Sequence, residues 1–160
     1  MIKINFFCIG TLKEKYLQEM SKEYLKRLSK FAKVEIKEFK EVPFKEKLND
    51  EIISQVKTKE GTPILGQIKN EDYVILLDLH GKTFSSEEFA CKFLNITSNL
   101  RGNIDVVIGG ALGVSDELVE RADLRFKISD LTFTHQFTRI ITLEQIYRAF
   151  KINNNEQYHH

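Results

Sequence analysis

A glycine-rich turn in the last third of the chain could bring a ligand against the backbone. Residues 109–113, Gly-Gly-Ala-Leu-Gly, directly follow residues 104–108, an apolar segment with the composition of a buried strand. Glycine has no Cβ, so a glycine turn lets the backbone approach a ligand closely. In open α/β sheets, ligands bind at the carboxyl ends of the strands. The turn therefore predicts a small-molecule site, although the same glycines could simply form a tight corner.

A second loop with reactive side chains follows the next predicted strand. Residues 130–135, Asp-Leu-Thr-Phe-Thr-His, open a final helix that carries Arg139. Histidine titrates near neutral pH and suits proton transfer. Taken alone, His135 is better explained as a hydrogen-bonded core histidine. The pairing of this loop with the glycine turn makes a cofactor site the leading hypothesis.

The rest of the chain predicts the elements that would hold these loops. The apolar runs predict five strands, at residues 2–9, 34–39, 73–79, 104–108 and 125–129. The first helix is predicted to start at a Thr11-x-x-Glu14 capping box, and two more to lie before and after a break near Gly61. A fourth helix is predicted from a Ser85-x-x-Glu88 capping box to Leu100. The last two are predicted over residues 114–122 and at the end of the chain.

Strands and helices alternate from end to end, which predicts one α/β domain over residues 1–160 with a mostly parallel sheet. Residues 41–50 are expected to form a loop, Thr62-Pro63 to restart a helix, and His80-Gly81-Lys82 to turn the chain.

Composition excludes several classes of protein. Hydrophobic residues make up 42% of the chain, which is typical of a globular domain. The apolar runs are too short to cross a bilayer, and the N-terminus lacks the pattern of a signal peptide, so a cytoplasmic protein is expected. Cys8 and Cys91 are expected to be buried free thiols, and no His/Cys cluster has metal-ligand spacing. The glycine turn is neither the GxGxxG motif of a nicotinamide-type Rossmann site nor the P-loop of an ATP- or GTP-hydrolysing protein.

Five motifs, in order and spacing, resemble one family, the ribosomal RNA large subunit methyltransferases H of the SPOUT class. The resemblance covers essentially the whole chain. It rests on residues 76–82 (LLDLHGK), 108–113 (IGGALG), 131–135 (LTFTH), 144–150 (EQIYRAF) and 158–159 (YH).

The resemblance implies an α/β fold whose C-terminal part is threaded into a trefoil knot, a rare exception to the rule against knots. It also implies S-adenosylmethionine as the cofactor and a homodimer that acts on the assembled ribosome. There it would methylate N3 of a pseudouridine in 23S rRNA. A SPOUT enzyme acting on tRNA, or a non-enzymatic ribosome- or RNA-binding module using the basic residues 1–40, are the alternatives.

The family's functional positions can be carried over residue by residue. The cofactor would be held by Leu77, Gly110, Ser129, Asp130, Leu131, Thr132, Phe133 and Thr134. The residues near the methyl group or the RNA would be His135, Arg139, Tyr158 and His159.

Two positions depart from the family pattern. Thr134 replaces a usual proline, which could loosen the loop, and His160 replaces a usual Lys or Arg.

The final helix carries apolar residues that are expected to form core or dimer contacts: Ile140, Leu143, Ile146, Tyr147 and Phe150. Because so apolar a helix would not be a free surface, part of it should be shared between two subunits. Arg148 follows Glu144 at a spacing that suits an ion pair.

Overall fold

The computed structural model describes residues 1–45 and 47–158 and confirms the predicted alternation of strands and helices. The strands are β1 Ile2–Ile9, β2 Ala32–Phe39, β3 Tyr73–Lys82, β4 Ile104–Ile108 and β5 Leu124–Phe126. The helices are α1 Lys15–Leu28, α2 Asp50–Leu65, α3 Ser86–Ser98, α4 Asp116–Arg121 and α5 His135–Asn153.

The five strands form one parallel sheet in the order β2-β1-β4-β3-β5. The most apolar strands, β1, β3 and β4, occupy its centre, and every residue of β4 is buried. Central parallel strands are covered on both faces, which is why they read as continuous apolar runs. β2 lies at an edge, and only its first residue, Ala32, is fully buried.

Helices cover both faces of the sheet. α1, α3 and α5 pack on one face over the larger core, where the rings of Phe89 and Phe126 stack at 4.6 Å and Phe150 meets Phe93 edge-on at 5.1 Å. α2 and α4 cover the other face, through Ile64 and Leu118. The result is a three-layer α/β/α sandwich, as predicted. The trefoil threading stays a prediction.

The connections after β1 and β4 leave toward opposite faces of the sheet. β1 leads into α1 on one face, and β4, its neighbour, leads into α4 on the other. Diverging connections of this kind open a crevice at the carboxyl ends of the two strands, which is where ligands bind in open α/β sheets. Gly10 and Gly109 lie at the two sides of this crevice.

The predicted turn at residues 80–82 is wrong, because β3 runs on to Lys82. Asp78 explains the extension: its carboxylate accepts hydrogen bonds from Arg125 Nε at 2.7 Å and from the His80 backbone N–H at 2.9 Å. A Cβ at Gly81 would lie 2.6 Å from the Arg125 carbonyl oxygen. Gly81 is therefore needed because β3 and β5 approach each other closely there, and not because the chain turns.

The predicted helix break near Gly61 is also wrong, since α2 is continuous and contains Pro63. A Cβ at Gly61 would lie 2.7 Å from Ser115 Oγ and 3.1 Å from Leu118 Cδ1, so glycine permits the close packing of α2 against α4. Pro63 lies in the last turn of the helix, where the loss of one backbone N–H disturbs little of the helix.

Of the two predicted capping boxes, one forms. Ser85 Oγ accepts a hydrogen bond from the Glu88 N–H, and the Glu88 carboxylate accepts one from the Ser85 N–H. The box at Thr11 does not form, because α1 begins later, with Glu14 at its N-cap and no side-chain cap. Burial of Cys8 is confirmed, whereas Cys91 is exposed.

Candidate functional site

The two predicted loops lie at the same edge of the sheet, the carboxyl edge. It collects the glycine turn after β4, the loop between β5 and α5, and the connection after β2. Among residues 1–45 and 47–158, no helix is long and apolar enough to cross a membrane. Within the same residues, no group of three or more His, Cys, Asp or Glu side chains could hold a metal ion.

Each of the three glycines in the turn is required for a different physical reason. Gly113 adopts φ +96°, a region that side chains rarely enter, and its N–H donates to the Gly110 carbonyl at 3.1 Å. A Cβ at Gly109 would lie 2.7 Å from Val114 Cγ1. Gly110 has no positive φ, and a Cβ there would lie 2.9 Å from Glu60 Oε1 and 3.1 Å from Ile9 Cγ2. Gly110 is therefore required by packing, not by backbone conformation.

Glu60 is a site residue that sequence reasoning missed. Its side chain lies behind the glycine turn, and the residue is only 6% exposed. Oε2 accepts the Val42 N–H at 3.0 Å, while Oε1 is buried without a partner among the described residues. Burial raises the pKa of Glu60, and the nearby charge of Glu41 raises it further. A charged helix residue in a polar stretch carries no sequence signal for such a place.

The predicted cofactor residues 129–134 form one surface loop. Lys127 Nζ donates to Asp130 Oδ1 at 2.6 Å, and this hydrogen bond lowers the pKa of Asp130. Ser129 Oγ accepts the Leu131 N–H at 3.0 Å, and Leu131 is 71% exposed. An apolar side chain held out in this way is available to a ligand or a partner.

The other predicted cofactor residues lie at the same edge. Thr134 Oγ1 accepts the Phe137 N–H at 3.2 Å and so caps α5, a function that the family's usual proline could not perform. Leu77 is the last β3 residue that pairs with β4, opposite Ile108. Thr132 and Phe133 are exposed.

His135 and Arg139 lie one turn apart on α5 but in different surroundings. His135 Nε2 is 3.0 Å from Glu41 Oε1. Arg139 is 2% exposed, and its guanidinium donates to Glu38 Oε2 at 2.8 Å and to the Gly10 carbonyl at 3.1 Å. Arg139 therefore ties the ends of β1 and β2 together and does not face the open surface.

Tyr158 lies at the other end of α5. Its hydroxyl donates to Glu144 Oε1 at 3.1 Å, and its ring contacts that of Tyr147 at 4.9 Å. Burial and the Glu144 carboxylate raise the pKa of Tyr158 to about 12. Tyr147 lies twelve residues after His135 on one helix, about 18 Å at 1.5 Å per residue. Within one chain, Tyr158 is thus remote from His135.

Two charged residues of the 144–150 motif, Glu144 and Arg148, contact Tyr158. The predicted ion pair of Arg148 with Glu144 is confirmed at 2.7 Å, and the Arg148 guanidinium lies over the Tyr158 ring at 4.7 Å. His159 and His160 lie outside the described residues.

A depression of about 500 Å³ adjoins the Glu60 side of the site. Its walls carry the apolar side chains of Val42, Phe44 and Val56, and three lysines surround them: Lys45, Lys47 and Lys59. A larger depression, about 590 Å³, lies at the opposite edge of the sheet around Asp72 and is remote from the glycine turn.

The amino-acid sequence matches one family of known proteins along nearly its whole length. The family model described as "Predicted SPOUT methyltransferase" matches residues 2–159. The ribosomal RNA large subunit methyltransferase H of Desulforamulus reducens is 45% identical over 159 residues, and that of Clostridium novyi is 46% identical over 162; each match covers 99% of both chains. A Legionella pneumophila methyltransferase, solved with bound S-adenosylmethionine, has a similar fold: its TM-score is 0.51 at 13% identity, over 93% of this chain and 66% of the other.

Proposed function

Because the chain belongs to the SPOUT methyltransferase family, we propose that it transfers the methyl group of S-adenosylmethionine to N3 of a pseudouridine in 23S rRNA of the assembled ribosome. The observation that carries this proposal is similarity over the full length to relatives named ribosomal RNA large subunit methyltransferase H. The gathering of the predicted loops at the carboxyl edge of the sheet supports it.

The residues at this edge suit the cofactor. S-adenosylmethionine supplies an activated methyl group on a sulfonium, so that the protein mainly binds and orients the reactants. The glycine turn exposes backbone, and Leu131 and Phe133 offer apolar surface for an adenine ring. We assign the cofactor to Leu77, Gly110 and the loop Ser129, Asp130, Leu131, Thr132, Phe133 and Thr134.

The chemistry needs a base near the cofactor. N3 of a uracil ring carries a proton, and its neutral form is a poor nucleophile, so that proton must leave. His135 lies at the start of α5, directly after the cofactor loop, and its side chain is 20% exposed. We assign His135 to proton removal and Arg139 to holding the strand ends that flank it.

The substrate requires a basic surface that reaches the site. The lysine-rimmed depression beside Glu60 offers phosphate contacts at Lys45, Lys47 and Lys59 and an exposed ring at Phe44. Lysines contact phosphates, and aromatic rings stack on unpaired bases. These features fit an rRNA loop better than a rigid duplex.

We also propose a homodimer, on different residues from those that the sequence suggested. Of the apolar α5 residues, Ile140, Leu143, Ile146 and Phe150 are buried inside one chain, and Tyr147 is partly buried. Outside the cofactor loop, exposed apolar side chains lie instead on α1 and at the start of α5: Tyr16, Met20 and Phe137. A symmetric dimer would cover such a surface.

A dimer would also explain the tail. Because Tyr158 is remote from His135 in its own chain, we propose that Tyr158 and His159 of one subunit serve the site of the other.

The test is methyl transfer from labelled S-adenosylmethionine to intact ribosomes, free rRNA and tRNA in parallel. We expect transfer to ribosomes, with His135→Ala lowering turnover by on the order of a hundredfold. The same variant should bind the cofactor within a few-fold of wild type by calorimetry, with or without a chelator. Transfer to tRNA but not to ribosomes would refute the proposed substrate. Undetectable binding of S-adenosylmethionine at millimolar concentration would refute the proposed methyltransferase activity.

A further inference from the structure

We propose that Glu41 is a positioning residue that holds the His135 imidazole with its proton on Nε2, which leaves Nδ1 to remove the N3 proton of the substrate. This inference rests on the proposed function and adds a residue to it. In the reaction, the N3–H bond breaks and its proton passes to Nδ1. The N3 lone pair then forms the bond to the methyl carbon, while the electrons of the carbon–sulfur bond remain on sulfur. The imidazolium afterwards returns its proton to water.

The contact between the two side chains is close and partly enclosed. Glu41 Oε1 lies 3.0 Å from His135 Nε2, and Nε2 is a buried atom. Nε2 makes no aligned hydrogen bond in this conformation, so the contact is a close approach of the Glu41 carboxylate to the ring nitrogen. No other described residue accepts from Nε2.

The other ring nitrogen is free for a substrate. Nδ1 makes no hydrogen bond with any described residue, and it is not among the buried unpaired atoms. In a neutral imidazole one nitrogen carries the proton and the other is the base. An acceptor at Nε2 therefore determines that Nδ1 is the base.

Hydrogen bonds hold the chain on both sides of Glu41, at Phe39 and at Val42. The Gly10 N–H donates to the Phe39 carbonyl at 2.8 Å, and the Val42 N–H donates to Glu60 Oε2 at 3.0 Å. Gly10 also provides the space: its φ is +86°, and a Cβ there would lie 2.9 Å from Glu41 Oε1. These two hydrogen bonds fix the backbone on either side of Glu41, and a carboxylate carried on a fixed backbone is preorganised to orient a neighbouring group.

A merely structural role for this pair is the competing explanation. The contact could tether the connection after β2 to α5 without any effect on the proton. The two explanations differ in what a change at Glu41 would alter: a tether affects stability, whereas a positioning residue affects the imidazole tautomer and turnover.

The experiment compares Glu41→Ala and Glu41→Asp with wild type in the full-length chain. Glu120→Gln is the control, because it removes one negative charge from an exposed position on α4. The readouts are the ring nitrogen signals of His135 by long-range proton–nitrogen NMR, turnover on ribosomes at saturating substrate, the cofactor Kd and the melting temperature. The His135→Ala variant identifies the relevant signals.

We expect the Nε2–H tautomer in wild type and a mixture of tautomers in Glu41→Ala. Turnover of Glu41→Ala should fall at least tenfold while KM and the cofactor Kd stay within a few-fold. Glu41→Asp retains the carboxylate and should recover part of the turnover. Adding Glu41→Ala to His135→Ala should cause no further loss, since the two residues act as a unit.

Two results would overturn the inference: an unchanged tautomer in Glu41→Ala, or a lower melting temperature with wild-type turnover. The NMR readout does not depend on the reaction, so it separates this inference from the proposed function. If wild type fails to methylate ribosomes, the proposed function fails, and the role of His135 as the base fails with it.

Discussion

Replacing Asp105 with Asn should stabilise the protein at neutral pH but not at acidic pH. Asp105 lies on β4 in the centre of the sheet and is completely buried. Its Oδ1 accepts a hydrogen bond from Asn5 Nδ2 at 2.8 Å, directly across on β1, whereas its Oδ2 has no partner in the described part of the chain. Burial, opposed by the Asn5 hydrogen bond and assisted by the charge of Asp72, raises the pKa of Asp105 to about 6.

The size of the effect follows from this pKa. The ordinary pKa of the group is 3.8, so ionising it in the fold is harder than in the unfolded chain by about 2 to 3 kcal/mol. Because the folded pKa is the higher one, the stabilisation from this group is complete below about pH 4. It is lost as the pH rises through about 6. Above that pH, the fold must hold a buried carboxylate with one unpaired oxygen.

Asn at this position stays neutral at every pH and keeps the acceptor for Asn5. Its amide can donate to Asn5 Oδ1, which has no donor among the described residues. We therefore expect Asp105→Asn to exceed wild type by about 2 kcal/mol in free energy of unfolding at pH 7.5 and to match it near pH 4.

Urea titrations at both pH values and at fixed protein concentration would measure this difference. Glu120→Gln is again the exposed control and should show no such trend. An Asp105→Asn variant that is less stable than wild type at pH 7.5, or a difference that does not change with pH, would refute the reasoning.

Three further predictions concern the site and its surroundings. Gly110→Val should weaken cofactor binding by well over tenfold, about 1.4 kcal/mol or more, because its side chain meets Glu60 and displaces the turn; normal binding by calorimetry would show that the turn is only a corner. Arg139→Met should lower the free energy of unfolding by about 3 kcal/mol, since Glu38 and the Gly10 carbonyl lose their donor; a shift within 0.5 kcal/mol, on the scale of neutral surface changes, would contradict this. Phe137→Asp should shift the mass measured by light scattering toward the monomer, because Phe137 belongs to the exposed apolar surface; an unchanged dimer would place the interface elsewhere.

The sequence predicted the elements well wherever the signal was local. Continuous apolar runs identified the central strands, and the Ser85 box identified the start of α3, because burial pattern and cap chemistry act over a few neighbouring residues. The same local reasoning placed the glycine turn and the loop 129–134 after two successive strands of the chain. It failed where a glycine or proline served packing, as at Gly61 and Gly81.

Other parts of the site depended on contacts between distant segments. Arg139 is buried against β1 and β2, and Tyr158 docks on the far end of α5, which no spacing along the chain indicates. Glu41 and Glu60 read as ordinary charged residues in a polar stretch. Only the parallel sheet, by bringing the ends of β1, β2 and β4 to one edge, places them beside His135 and Gly110. Propensity and periodicity report what a residue does to its own backbone, whereas the partner of a charged side chain is decided by how the elements pack.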